Sequence, residues 1–167
     1  MTRGMKRIAR HLMASRWRVG RAFPADTLTA IGKAIEASEA THSGEIRFAV
    51  EGALHIEPLL RRQTARERAI DVFSQLRVWD TERNNGVLIY LLLADRDVEI
   101  VADRGIDAKV GAQEWERICR AMEAAFRRGD FHGGVICGIR EVTRHLAEHF
   151  PPIDGDRDEL PDKPVVL

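Results

Sequence analysis

The stretch Asn84-Asn85-Gly86-Val87-Leu88-Ile89-Tyr90-Leu91-Leu92-Leu93-Ala94-Asp95-Arg96-Asp97-Val98-Glu99-Ile100-Val101 decides the fold. Asn-Asn-Gly is turn chemistry. Val87 to Leu93 is apolar without alternation, which reads as a central strand covered on both faces. Asp95-Arg96 marks a tight turn, and Val98 to Val101 reads as the return strand of a hairpin. The longest apolar run, Val87 to Ala94, is far short of the roughly 20 residues that a helical membrane span needs. No transmembrane segment is expected.

Outward on the N-terminal side, Thr64-Ala65-Arg66-Glu67 is a capping box, in which threonine and glutamate satisfy each other's backbone donors. Ala69, Val72, Phe73 and Leu76 follow in one helical stripe. Glu45 to Glu51 alternates, with Ile46, Phe48 and Val50 on one side and Arg47, Ala49 and Glu51 on the other. That predicts a strand with one wet or lightly covered face. Pro24 and Asp26 start a helix that carries Leu28, Ile31, Ala34 and Ile35 on one face. On the C-terminal side, Trp115, Ile118, Cys119, Met122 and Phe126 have helical spacing, as do Val135, Ile139, Val142 and Leu146. Arg127-Arg128-Gly129-Asp130 separates the two helices, and Pro151-Pro152 ends the second. The order helix, strand, helix, strand, strand, helix, helix predicts an α/β fold. It is a three-layer α/β/α sandwich, a small mixed sheet flanked by helices.

The chain has 167 residues, 44 % hydrophobic and 31 % charged, which is ordinary single-domain composition. Its net charge is zero, yet the charge is unevenly spread. Residues 1–25 form a basic arm with Arg3, Lys6, Arg7, Arg10, Arg16, Arg18 and Arg21 and no acid. Residues 151–167 form an acidic, proline-containing tail, expected to be mobile. The domain between them, 26–150, is net negative, which excludes nucleic-acid binding by electrostatics. Basic residues interrupt every apolar stretch of the arm, so it does not read as a signal peptide. The expected location is therefore cytoplasmic, peripheral at the inner membrane face. Two readings of the arm stay open. Residues 1–22 could hold an anionic membrane surface or a membrane-associated protein, or Trp17 and Phe23 could pack on the domain.

Five segments resemble the TPM-domain family. They are Ser43-Gly44-Glu45-Ile46; Trp79-Asp80 ahead of Asn84-Asn85-Gly86; Ala94-Asp95-Arg96-Asp97-Val98; Arg104-Gly105-Ile106-Asp107; and Phe126-Arg127-Arg128-Gly129-Asp130-Phe131 with Gly134. Together they cover about residues 26–150. The resemblance implies the α/β/α sandwich, divalent-metal binding in some members, an acid phosphatase activity claimed for some plastid members, and accessory roles in membrane-protein assembly. Ala112 stands where the family often has an aspartate.

Strand direction sorts the carboxylates. Asp95 and Asp97 fall at the hairpin turn. Glu45, Asn84, Asn85 and Asp103 gather at the opposite end of the sheet, with Asp107 close behind. Hard oxygen ligands suit Ca²⁺ or Mg²⁺, so the expected metal ligands are Glu45, Asn84, Asp103 and Asp107. Arg104 and Asn85 are the expected phosphate or ligand contacts. The functional expectation is an accessory domain that binds a divalent metal, a membrane-associated partner, or both, without its own catalysis. The alternative is a metal-dependent acid phosphatase using a metal-activated water.

Overall fold

In a computed structural model, which describes residues 3–13, 16–155 and 158–167, the expected hairpin forms, with its first strand inside the sheet and its return strand at one edge. Strands β1 (Glu45–Glu51), β2 (Gly86–Leu92), β3 (Asp97–Ala102) and β4 (Val165–Val166) are ordered β3-β2-β1-β4. β1 runs parallel to β2, and β3 runs antiparallel to it. Every residue of β2 is buried, as its unbroken apolar run requires.

Helices cover both faces. On one side, α2 (Arg16–Ala22), α3 (Ala25–Glu39), α6 (Arg104–Val110), α7 (Ala112–Arg127) and α8 (Phe131–His149) bury a core that includes Phe23, Ile35, Phe48, Ile89 and Phe126. On the other, α4 (Ile56–Leu60) and α5 (Ala65–Gln75) cover Leu88, Tyr90 and Leu92. The capping box at Thr64 forms in full. The first expected helix starts at Ala25 behind Pro24, and Asp26 accepts from the Thr27 N–H of its first turn at 2.9 Å. The sandwich is thus the predicted one.

Two expectations about covering are corrected. β1 has no wet face: all seven of its residues are buried, with Arg47 at 6 % and Glu51 at 4 % exposure. A buried carboxylate needs donors, and Glu51 has them. Arg68 Nε of α5 donates to it at 2.8 Å and Tyr90 Oη at 2.7 Å. The C-terminal tail folds back as well. Leu160 is buried, Val165 and Val166 pair parallel with Ala49 and Val50, and the Leu167 N–H donates to the Val50 carbonyl at 2.9 Å. An open strand edge is a row of unpaired backbone groups, and β4 caps that edge of β1.

The basic arm is helical and docked. α1 (Arg3–Met13) and α2 lead into Phe23, which is 1 % exposed and packs on Phe48 and Phe131. The side chain of Trp17 lies outside the described residues.

Backbone proximity fixes one glycine. A Cβ on Gly86 would lie 2.0 Å from the Val78 carbonyl oxygen, whereas one on Gly20 would meet nothing within 4 Å. Gly86→Ala is expected to lose about 2 kcal/mol or more. Gly20→Ala, inside a helix, is expected to gain about 0.5–1 kcal/mol. Urea unfolding midpoints of the two variants check the contrast.

Candidate functional site

The sheet brings the predicted residues to one end. Glu45 pairs with Gly86, and Val87 with Ala102, so Asn84, Asn85 and Asp103 adjoin the start of β1. Backbone bonds tie these loops. Glu45 N–H donates to the Asn85 carbonyl at 3.3 Å, Asp103 N–H to that of Gly86 at 2.8 Å, and Ile106 N–H to that of Asn84 at 3.2 Å.

Their side chains are engaged separately. Asp103 caps α6 by accepting from the Arg104 N–H at 2.7 Å. Asp107 accepts from Trp115 Nε1 at 3.0 Å. Asn84, at φ 53°, accepts from Arg104 Nε at 3.2 Å. Asn85 donates from Nδ2 to the Ser43 carbonyl at 2.6 Å. Glu45 accepts from the Glu159 N–H of the tail at 3.1 Å. Three oxygens of this set, Glu45 Oε2, Asn85 Oδ1 and Asp103 Oδ2, are buried without a partner. Two groups of three His, Cys, Asp or Glu side chains with ligand atoms within 4.8 Å of one another occur among the described residues. Neither contains Asp103, Asp107 or Glu45. The four expected ligands therefore share an end of the sheet and not a single chelate.

One of those groups is Glu39, Asp158 and Asp162, built by the end of α3 and the returning tail. Glu45 adjoins it. The Asp158 charge acts on Glu45, and the Glu45 charge acts on Glu39. Burial pushes the Glu45 carboxyl up to about 7, opposed by the hydrogen bond from Glu159. Burial and the facing Asp162 push Glu39 up to about 9. Glu39 and Asp162 share a hydrogen bond between their carboxyl groups, and buried Glu45 Oε2 has no partner. Sequence reasoning missed Glu39, Asp158 and Asp162. The available signal was the excess of acid in a tail that runs on into the apolar Val165-Val166-Leu167.

The other group is His145, Glu148 and His149 on α8. His145 is buried, with Nε2 3.0 Å from Glu114 Oε1 and its ring edge-on to Trp115. It is engaged in packing α8 on α7.

At the hairpin end, Asp95 holds the arm. Arg7 Nε and Arg10 Nη2 donate to its two oxygens at 2.8 Å each. His11 Nδ1 accepts from the Leu54 N–H at 3.0 Å, which leaves the ring proton on Nε2, 3.1 Å from Asp95 Oδ2. Burial raises the Asp95 carboxyl, but the bonds and charges of Arg7 and His11 outweigh it, and the net value lies below the ordinary 3.8. A depressed carboxyl contributes fully above its unfolded pKa and fails as pH falls through its folded one. The arm is therefore expected to stay docked down to about pH 4 and to release below that. The amide signal of Leu54 reports it. Asp95→Asn should release the arm at neutral pH, speeding tryptic cleavage between residues 6 and 11 while the sheet core stays intact.

Comparison with known proteins places this geometry. The family model described as the TPM domain matches residues 20–145. The NMR structure of BA42 protein from the psychrophilic bacterium Bizionia argentinensis superposes with a TM-score of 0.75. It is 34 % identical, over 87 % of this chain and 95 % of that one. The solution structure of an N-terminal domain from P. gingivalis gives a TM-score of 0.61 at 20 % identity, over 77 % and 81 %, a likeness of fold. Among curated proteins no match was found. A family match over residues 20–145, with a structure 34 % identical over 87 % of the chain, means that this chain belongs to the TPM-domain family.

Proposed function

We infer that the chain is a non-catalytic accessory module that docks on an anionic membrane surface through α1 and α4. One observation carries this reading: α1 is amphipathic and docks by its charged side. Arg7 and His11 turn inward to Asp95 and Leu54. Met5, Leu12 and Met13 are left more than half exposed. Ile56 and Leu60, one turn apart on α4, are also more than half exposed. A cleft of about 930 Å³ between the two helices is lined by Met5, Lys6, Ile8, Leu59, Leu60 and Arg62, among others. An apolar helix face flanked by cations is the chemistry of an interfacial helix, which buries its apolar side among lipid headgroups. Each cation near an anionic surface adds about 1 kcal/mol. No helix among the described residues is long and apolar enough to cross a membrane, so attachment would be peripheral.

Two features support a role without catalysis. Asp103 Oδ1, Arg104 Nε and Asp107 Oδ1 are engaged in capping and bracing α6 and α7. Burial pushes the Cys119 thiol up to about 12, which keeps it from serving as a thiolate.

Co-sedimentation with vesicles tests the reading. The chain should pellet with phosphatidylglycerol–phosphatidylcholine vesicles, bind weakly to phosphatidylcholine alone, and release as salt rises. Leu12→Glu combined with Leu60→Glu should lower binding at least tenfold with the thermal midpoint little changed. Equal binding by the double variant would overturn the proposal.

A further inference from the structure

Helix α8 ends in His145-Leu146-Ala147-Glu148-His149. Residues three and four apart share one face of a helix. The two imidazoles and the Glu148 carboxylate therefore come to one side of its last turn. A ligand atom of each lies within 4.8 Å of those of the other two. Two imidazoles with a carboxylate form a ligand set for a first-row transition ion, Zn²⁺ above all. Ca²⁺ and Mg²⁺ take oxygen instead.

Spacing alone does not make a site, because exposed helix ends carry such residues freely. The setting of His145 is the second observation. Its ring is 7 % exposed and lies edge-on to Trp115, with centroids 5.8 Å apart. Its Nε2 is 3.0 Å from Glu114 Oε1 on α7. A carboxylate only accepts, so Nε2 carries the ring proton. Arg144 Nη2 lies 3.0 Å from the same nitrogen, but its acceptors are Glu114 at 3.1 Å and Glu141 at 3.5 Å. The ring's lone pair is then on Nδ1, and no hydrogen bond among the described residues takes it. A nearly buried imidazole whose far nitrogen is fixed by a carboxylate is the usual state of a metal-bound histidine. The carboxylate sets the tautomer and raises the basicity of the ligating nitrogen. Glu148 is exposed and His149 half-buried, so both can turn onto an ion held by His145.

We propose that His145 Nδ1, Glu148 and His149 bind a Zn²⁺ ion, with Glu114 of α7 as the positioning residue that orients His145. Three protein ligands leave a further position open to water. Two of the three lie beyond residues 20–145, the stretch matched by the family model. The proposal is independent of membrane docking, since α1 and α4 contribute no ligand.

Zn²⁺ binding to the full chain, freed of metal by chelation, tests it by competition with a chromophoric chelator. One ion should bind per chain. His149→Ala and Glu148→Gln should each weaken binding about tenfold or more, with the thermal midpoint of the metal-free protein little changed. Glu114→Gln should weaken it about 10–100-fold. Nitrogen-15 spectra of the imidazoles supply a readout that packing alone would not move. Zn²⁺ should shift Nδ1 of His145 and one nitrogen of His149, and leave His55 and His132 unchanged. In the metal-free protein Glu114→Gln should move the His145 nitrogens toward the mixed tautomers of an unrestrained ring. Cys137→Ser, which removes an exposed thiol, should bind as the unaltered chain does. Absence of Zn²⁺ binding would overturn the proposal, as would full affinity in His149→Ala, loss of binding in Cys137→Ser, or shifts confined to other histidines. Unchanged affinity and unchanged His145 nitrogens in Glu114→Gln would overturn the positioning role.

Discussion

Strand β1 carries three charges into the interior, and the polar side of the fold is built around them. Glu45, Arg47 and Glu51 alternate with Ile46, Phe48 and Val50, so one face of the strand is apolar and the other is ionic. Burying an ionised group without partners costs several kcal/mol. Each charge is therefore met differently. Glu51 is answered within the domain by Arg68 and Tyr90. Glu45 is answered by the backbone of the tail. Arg47 lies among acids from the tail, which offset its burial. The tail is thus the missing fourth element of a sheet whose first strand cannot face water.

The arm follows the same logic with the signs reversed. Asp95 closes the hairpin half-buried, and α1 supplies Arg7, Arg10 and His11 to it. Electrostatics fixes the orientation of α1, and the consequence is an apolar face turned outward beside Ile56 and Leu60 of α4. A helix held by a hydrophobic stripe would hide that face. Held by its cations, it presents the face to whatever covers the surface next. Both ends of the chain are therefore fastened to the sheet by charge, the arm to the hairpin end and the tail to the first strand.

Much of this architecture was legible because its signals are local. The run Val87–Leu93 could only be a doubly covered strand, and Asp95-Arg96 could only turn it back. Strand directions followed from the lengths of the connections, so Glu45, Asn84, Asn85 and Asp103 were placed at one end correctly. Whether their side chains converge was not legible. Asp103 follows a strand and precedes a helix, and cap chemistry takes it before any ligand does. Asp107 looked free until Trp115, one helix later, reached it. The alternation in Glu45–Glu51 suggested a wet face because periodicity reports polarity and not exposure. The group of Glu39, Asp158 and Asp162 depends on contacts across more than 110 residues, made by a strand of two. No window of sequence contains it.

The fold rests on the C-terminal tail covering the buried charges of β1. Amide hydrogen exchange tests this most directly at Glu159, whose N–H donates to Glu45, and at Leu167, whose N–H donates to Val50. The account predicts that both amides are strongly protected at neutral pH. Exchange of either at the rate of an unstructured peptide would contradict it.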